Sequence, residues 1–221
     1  MESNIETMSN NISTSSNSYQ INNKPSTITK EYMHSHLIEM LKSSDKLSNG
    51  HKLMSQLEKT PGFYLSLLSI SLNCNNYFSS NMHVSLNAKE IISLTKMASS
   101  ILLNYLTKNW NDENYILLQE KIEIYSILTA NIENNDYFLK NFIAKLLGII
   151  AAKEWPNSYE MLIKKVLNNL SETSNDSKQD IYLRIMIKIL EECDDKISSM
   201  TCELIPIVID VFKKSTVSFT N

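Results

Sequence analysis

Residues 87–110, NAKEIISLTKMASSILLNYLTKNW, carry the pattern that decides the fold of this chain. Asn87 and Glu90 have the spacing of a capping box, in which each side chain accepts a hydrogen bond from the other residue's backbone N–H. Behind them, apolar residues recur every three or four positions: Ile91, Leu94, Ala98, Ile101, Leu102 and Tyr105. This spacing predicts an amphipathic helix that begins after Asn87 and ends at Trp110.

The same helical spacing continues on both sides of this stretch. We expect eight further helices, at about 32–41, 47–59, 60–72, 113–130, 136–155, 156–170, 181–190 and 197–212. Capping signals mark several starts: Thr60 before Pro61, Asp136, Pro156, and a capping box of Ser177 with Asp180. The domain division that follows is a disordered tail at 1–28, a helical array at 29–214 with a polar insertion at 73–87, and a short tail at 215–221.

The amino-acid composition argues against several classes of fold and function. The chain has 221 residues, a net charge of −3, only 3 Gly and 4 Pro. Few glycines and prolines argue against phosphate loops and turn-rich sheets, and the weak charge argues against a nucleic-acid partner. The 3 cysteines lack metal-type spacing, and the sequence predicts no signal peptide and no membrane span.

A degenerate internal repeat links two helices. Residues 98–110 and 144–155 both run from a small residue through an aliphatic stripe to a lysine and a final Trp, and helix-pair repeats of the HEAT type have periods of roughly 40–47 residues. Short loops make consecutive helices antiparallel. We therefore predict an all-α chain, a right-handed α-solenoid of HEAT-type antiparallel helix pairs with about four and a half repeats. Two unrelated amphipathic helices that each end in an aromatic residue are the alternative.

No residue pattern proposes catalysis, a metal or a cofactor. His34 and His36 are two positions apart and so lie on different faces of a helix; we expect them in a solvated end-turn, where they cannot chelate one metal. Trp110 and Trp155 could anchor a ligand, but at the ends of apolar stripes we expect them to pack, with the indole N–H bonded to a loop carbonyl. An acidic cluster could bind a basic partner or decorate a helix junction: Glu191, Glu192, Asp194 and Asp195.

The motifs LEKTPGF (57–63), MASSILLNY (97–105) and AKLLGIIAAKEWP (144–156) resemble the N-terminal domain of importin-β-type nuclear transport receptors (karyopherins). Among the subfamilies the pattern looks closest to importin nine-like receptors. The resemblance rests on a structural signature: Pro61, Phe63, Ala98, Leu102, Trp110, Trp155 and Pro156. Such receptors have more repeats than 221 residues hold, so we expect a segment of a longer receptor.

The resemblance implies a function without catalysis. The first repeats of this family contact the GTP-bound form of the small GTPase Ran, and on this chain Asn104 and Lys96 are the candidate Ran-binding residues. It further implies basic protein cargo such as histones, nucleoporins as partners of the full-length receptor, and shuttling between cytoplasm and nucleus. The chain departs from the family pattern at Gly50, His51, Thr95 and Leu103, and these departures bear on the strength of Ran binding.

Two other hypotheses remain open. A generic helical-repeat adaptor in a cytoplasmic complex would bind partners without regard to Ran. A helical enzyme would need a pocket with convergent polar groups.

Overall fold

The computed structural model describes residues 25–42, 44–77, 86–133, 136–154, 157–172 and 176–192, with single positions at 205, 206, 209 and 213. Helices are the regular secondary structure of these residues, which confirms an all-α chain. They are α1 (Lys30–Lys42), α2 (Ser44–Leu57), α3 (Phe63–Tyr77), α4 (Ala88–Asn109), α5 (Leu118–Ala130), α6 (Tyr137–Glu154), α7 (Asn157–Glu172) and α8 (Asp176–Glu192). Of the predicted helix at 197–212, positions 205, 206 and 209 are described and are helical; its other residues and the tails at 1–24 and 215–221 lie outside the described stretches.

The predicted capping box at the start of α4 is confirmed. The Asn87 side chain accepts a hydrogen bond from the Glu90 backbone N–H at 3.0 Å, and Glu90 accepts one from the Asn87 N–H at 2.8 Å. Asp136 likewise accepts from the Leu139 N–H at the start of α6. The starts of α4 and α6 were therefore predicted correctly from their capping residues.

Three predicted boundaries were wrong. The third helix begins at Phe63 and not at Pro61, because Gly62 has a left-handed φ of 85° that breaks the helical path. It then continues to Tyr77, so the first part of the predicted insertion at 73–87 is helical. The fifth helix begins only at Leu118, since a turn built on Asp112, whose carboxylate accepts from the Asn114 N–H, precedes it.

The capping box predicted for Ser177 and Asp180 is also wrong. The helix α8 already begins at Asp176, so both residues lie inside it. The Asp180 carboxylate binds Arg184 one turn further along, at 2.9 Å.

The tail predicted to be disordered up to residue 28 is ordered from residue 25. Ile28 is buried, its N–H donates to the Pro61 carbonyl at 2.8 Å, and its own carbonyl accepts from the Ser66 hydroxyl at 3.1 Å. Burial of an aliphatic side chain and two hydrogen bonds are enough to attach this short segment to the start of α3.

Hydrogen bonds between helix ends fix the directions of the first six helices. The N–H of Ile28, just before α1, donates to the carbonyl of Pro61, just before α3. The N–H of Leu65, in the first turn of α3, donates to Glu120 in the first turn of α5. Asn109, the last residue of α4, binds Glu58 directly after α2 and Tyr64 at the start of α3. Trp110 after α4 binds Glu154, the last residue of α6. Thus α2, α4 and α6 end where α1, α3 and α5 begin, and consecutive helices are antiparallel.

The helix α8 runs parallel to α6 and packs closely on it. Lys140 lies 3.8 Å from Asp180 near the two helix starts, and Gly148 faces the backbone of Lys188 further along. A Cβ added at Gly148 would lie 2.9 Å from the Lys188 carbonyl oxygen, so glycine permits this close approach. Most of α6 is buried because it also contacts α4, α5 and α7.

His34 does not lie in a solvated end-turn, as predicted, but in the buried face of α1, with 1% of its surface exposed. Its neighbours on that face are apolar: Met33, Leu37 and Ile38. Burial lowers the pKa of His34 below its ordinary value of 6.5, Lys30 lowers it further and Glu31 opposes the shift.

We expect the stability of the chain to fall in mild acid because of His34. With a folded-state pKa below the unfolded value, the unfolded chain binds more protons, so the free energy of unfolding decreases as pH drops below about 6.5 towards the folded-state pKa. Urea unfolding at pH 7.5 and 5.5 measures this slope. The His34→Met variant should flatten it, whereas His51→Gln at an exposed position should not. An unchanged slope in His34→Met would contradict the assignment.

Candidate partner-binding face

Both residues predicted to bind a partner, Lys96 and Asn104, are solvent-exposed on α4. They lie eight residues, or about two helical turns, apart. The opposite side of α4 is buried through Leu94, Ala98 and Leu102, and α4 contacts α1, α3 and α6. One side of α4 therefore packs against the core, and the side with Lys96 and Asn104 is accessible to a protein partner.

The signature residues inside the described stretches act mostly through packing. Phe63, Ala98 and Leu102 are completely buried, whereas Pro61 is exposed. The Phe63 ring meets the edge of Tyr105 on α4, with centroids 5.5 Å apart. Trp155 and Pro156 lie outside the described residues.

The departures from the family pattern have local structural explanations. The Thr95 hydroxyl donates to the Ile91 carbonyl at 3.0 Å within α4, and Leu103 is half-buried against the core. Gly50 faces the Met40 side chain, whereas His51 is exposed. Thr95 and Leu103 therefore offer little polar contact to a partner, whereas Lys96 and Asn104 are exposed.

Beneath one end of this face lies a buried polar cluster that sequence analysis missed. The Asn109 amide donates to the Glu58 carboxylate at 2.8 Å and to the Tyr64 hydroxyl at 2.9 Å. Burial raises the pKa of Tyr64 far above its usual range; the Asn109 hydrogen bond opposes this shift and the Glu58 charge adds to it. The cluster ties the ends of α2 and α4 to the start of α3, because a buried carboxylate requires a hydrogen-bond donor.

A sequence signal for this cluster was present. Asn109 falls three positions after Leu106 and seven after Leu102, both buried, so it continues the apolar stripe of α4. A polar residue at a core position of a helix indicates a buried hydrogen bond, and Glu58, four positions after buried Met54, follows the same rule.

Glu120 extends the buried polar contacts to α5. Its carboxylate accepts from the Leu65 N–H at 3.4 Å, at the positive end of the α3 dipole. Burial raises the pKa of Glu120, and the backbone N–H groups of Leu65, Gly62 and Tyr64 oppose this shift. The side chain thereby caps a neighbouring helix and fixes α5 beside α3.

The packing interpretation of Trp110 is confirmed, since 1% of its surface is exposed. Its predicted hydrogen-bond partner was wrong: the indole N–H donates at 3.0 Å to the Glu154 carboxylate and not to a loop carbonyl. The Lys121 ammonium lies 5.6 Å from the ring centroid, within cation–π range. Trp110 thus connects the ends of α4 and α6 with the first turns of α5.

A second polar network joins α6 and α8. Arg184 donates to the Asn141 side chain at 2.9 Å and pairs with Asp180, and its guanidinium lies 4.8 Å from the centroid of the exposed Tyr137 ring. Hydrogen bonds to Asn141 and Arg184 lower the pKa of Tyr137. This network fixes the register of α8 along α6.

Within the described part of the chain, His, Cys, Asp and Glu side chains form no group of three that could hold a metal ion. None of the helices described is both long enough and apolar enough to cross a membrane. Comparison with protein-family models, with curated proteins and with solved structures finds no match for this chain.

Proposed function

We propose that this chain is a segment of an importin-β-type nuclear transport receptor that binds Ran in its GTP form and takes part in the nuclear import of protein cargo. The observation that carries the proposal is the order of helix contacts. The first helices of successive pairs, α1, α3 and α5, touch in sequence, and so do the second helices α4, α6 and α8. Stacked helix pairs that touch only their neighbours are the geometry of a solenoid.

The spacing of the contacts supports the HEAT-type pairs of the right-handed solenoid that we propose as the finer fold. The bond between Trp110 and Glu154 joins equivalent ends of α4 and α6 across 44 positions, and the bond between Asn141 and Arg184 joins α6 and α8 across 43. Both separations fall within the roughly 40–47 residues of a HEAT-type repeat.

In the proposed mechanism, the exposed side of the second helices binds Ran·GTP through Lys96 and Asn104. Ran bound there competes with cargo held by the same receptor, so cargo is released by mutually exclusive occupancy, and GTP hydrolysis takes place on Ran. Basic cargo would meet the exposed carboxylates of Glu191 and Glu192 at the end of α8. Nucleoporin contacts and shuttling between cytoplasm and nucleus follow from the same proposal.

Retention of Ran tests the proposal. The immobilised full chain should retain Ran loaded with a non-hydrolysable GTP analogue and not Ran·GDP. We expect Asn104→Ala to weaken retention about fivefold, the loss typical of a contact residue near the centre of an interface. Lys96→Glu should weaken it too, whereas Lys165→Glu, the same charge reversal at an exposed position of α7, should not. Equal retention of both nucleotide forms would contradict the proposal.

A generic adaptor is the second candidate, and the surface of α5 favours it. Three large apolar side chains are exposed there: Leu117 at 53%, Leu118 at 70% and Ile122 at 54%. Leu118 and Ile122 are one helical turn apart on the same side of α5, and a contiguous exposed apolar patch is typical of a protein contact. An adaptor would bind its partner through α5 regardless of the nucleotide on Ran, so Leu118→Ser with Ile122→Ser would abolish its binding while Asn104→Ala would not.

A further inference from the structure

Tyr137, the first residue of α6, differs in exposure from the other tyrosines whose side chains the structure describes. Its surface is 67% exposed. The others are buried or half-buried: Tyr32, Tyr64, Tyr105, Tyr115, Tyr125 and Tyr182. Within this set, Tyr137 is therefore the residue whose hydroxyl an enzyme can reach without disturbing the core.

The surroundings of the Tyr137 hydroxyl favour a negative charge on its oxygen. Hydrogen bonds with Asn141 and Arg184 lower the pKa of this phenol, and the charge of Arg184 acts in the same direction, whereas Asp180 opposes the shift. At half-buried Tyr125, by contrast, burial raises the pKa. The exposed tyrosine is thus also one whose oxygen lies among groups that stabilise an anion.

Arg184 is held beside Tyr137 with donors to spare. Its guanidinium lies over the Tyr137 ring, 4.8 Å from the centroid. The Nε group donates to the Asp180 carboxylate and Nη1 donates to the Asn141 side-chain oxygen, each at 2.9 Å. The second N–H of Nη1 and both N–H groups of Nη2 take no part in these two bonds, so they can donate to oxygen atoms attached at Tyr137.

The carboxylates near Tyr137 are already hydrogen-bonded or paired. Asp180 binds Arg184 and also lies 3.8 Å from the Lys140 ammonium. The carboxylate of Asp136 accepts from the Leu139 N–H at 2.9 Å, in the first turn of α6. The positive end of the α6 dipole lies at the same place. An anion on Tyr137 would therefore meet two cations and a helix start.

The position of Tyr137 at a helix start also limits the unfolding that a modifying enzyme requires. The first N–H groups of a helix have no partner inside the helix. The bond that closes this first turn runs from the Lys140 N–H to the Asp136 carbonyl at 2.9 Å. Helix ends open at a much lower free energy than helix centres do.

We propose that Tyr137 is a phosphorylation site whose phosphate binds Arg184 and strengthens the contact between α6 and α8. In the reaction, a protein-tyrosine kinase supplies a nucleoside triphosphate, and the Tyr137 oxygen forms a bond to the γ-phosphorus as the bond to the bridging β-phosphate oxygen breaks. The nucleoside diphosphate leaves, and the phenolic proton passes to a carboxylate of the kinase. The inference does not depend on the proposed binding of Ran.

The phosphate would act through charge-assisted hydrogen bonds between two helices. Phosphorylation adds a charge of about −1.5 to −2 and three acceptor oxygens. Arg184 on α8 already donates to Asn141 on α6, so a phosphate on α6 adds a second link between the same two helices. The planar guanidinium matches the geometry of a phosphate, which a lysine ammonium does not.

Site-resolved phosphorylation of the full chain tests the assignment of Tyr137. The native chain is incubated with ATP, magnesium and the catalytic domain of a tyrosine kinase of broad sequence preference, and each tyrosine is followed by mass spectrometry. We expect Tyr137 to be modified about tenfold faster than half-buried Tyr125 or buried Tyr182, because those two require a larger opening of the fold. Equal rates at the three positions would overturn the assignment.

Phosphorus NMR of the phosphorylated chain tests the contact with Arg184. A cation beside the phosphate favours its dianion, so the second pKa of the phosphate should lie about half a unit below its ordinary value of about 6. Arg184→Gln should restore the ordinary value. Lys165→Gln removes the same charge at an exposed position of α7 and should leave the lowered value unchanged. An ordinary pKa in the unaltered chain would contradict the contact, whether or not Arg184→Gln folds.

Thermal unfolding tests the strengthened contact between α6 and α8. The phosphorylated chain should unfold about 2–4 °C above the unmodified chain. Arg184→Lys keeps the charge without the planar fork, so it should retain only part of this increase. Tyr137→Phe, treated with the same kinase, should show no increase. A phosphorylated chain that unfolds at the same or a lower temperature than the unmodified chain would overturn the inference.

Discussion

Replacing Trp110 with alanine should lower the free energy of unfolding by about 3–5 kcal/mol, the usual range for deleting a buried aromatic side chain. The ring is almost completely buried between the ends of α4 and α6. Its loss would leave a cavity and remove two interactions: the hydrogen bond to Glu154 and the cation–π contact with the Lys121 ammonium. Urea unfolding followed by circular dichroism at 222 nm measures the change.

A conservative variant separates packing from hydrogen bonding. Trp110→Phe keeps most of the apolar contact and removes the indole N–H, so we expect a loss of about 1–2 kcal/mol. If Trp110→Ala unfolded at the same urea concentration as the unaltered chain but no longer bound a partner, the side chain would be a ligand anchor, and the packing interpretation would be wrong.

Replacing Gly62 with alanine should have the second largest effect, a loss of about 3 kcal/mol. Gly62 has a φ of 85°, a conformation that costs an L-residue about 1–3 kcal/mol, and an added Cβ would overlap the Ile28 carbonyl oxygen. Relief of that overlap must move the Ile28 backbone, which bonds to Pro61 and Ser66. Thermal or urea unfolding measures the loss.

Gly50→Ala is the matched control. A Cβ at Gly50 would meet only the flexible side chain of Met40, and the position is helical with an ordinary backbone. Alanine also favours the helix by about 1 kcal/mol over glycine, so the two effects should nearly cancel. A loss below about 1 kcal/mol for Gly62→Ala would show that neither the turn conformation nor the Ile28 contact matters.

Local sequence patterns predicted the helices well because their causes are local. The apolar stripe and capping box between Asn87 and Trp110 need only residues three or four positions apart, and the structure confirms both. A predicted helix start was wrong where it depends on a contact with a residue far away in the sequence. The third helix begins at Phe63 because the Gly62 turn is shaped by its contact with Ile28, some thirty residues earlier.

The candidate face was predictable only in part. Exposure of Lys96 and Asn104 follows from their position opposite the apolar stripe of α4. The buried polar cluster beneath it was not predicted, because the Asn109 amide binds residues 51 and 45 positions earlier in the sequence, Glu58 and Tyr64.

The amino-acid sequence by itself determined that the chain is helical, where most helices lie and which sides of them are apolar, since periodicity and capping act over one or two turns. Only the tertiary structure decided which helix ends meet, that His34 is buried, and that Asn109, Glu58 and Tyr64 share one set of hydrogen bonds. The hydrogen bonds of Asn109 join residues about fifty positions apart. Packing in three dimensions selects such partners, and the local spacing of residues does not encode that packing.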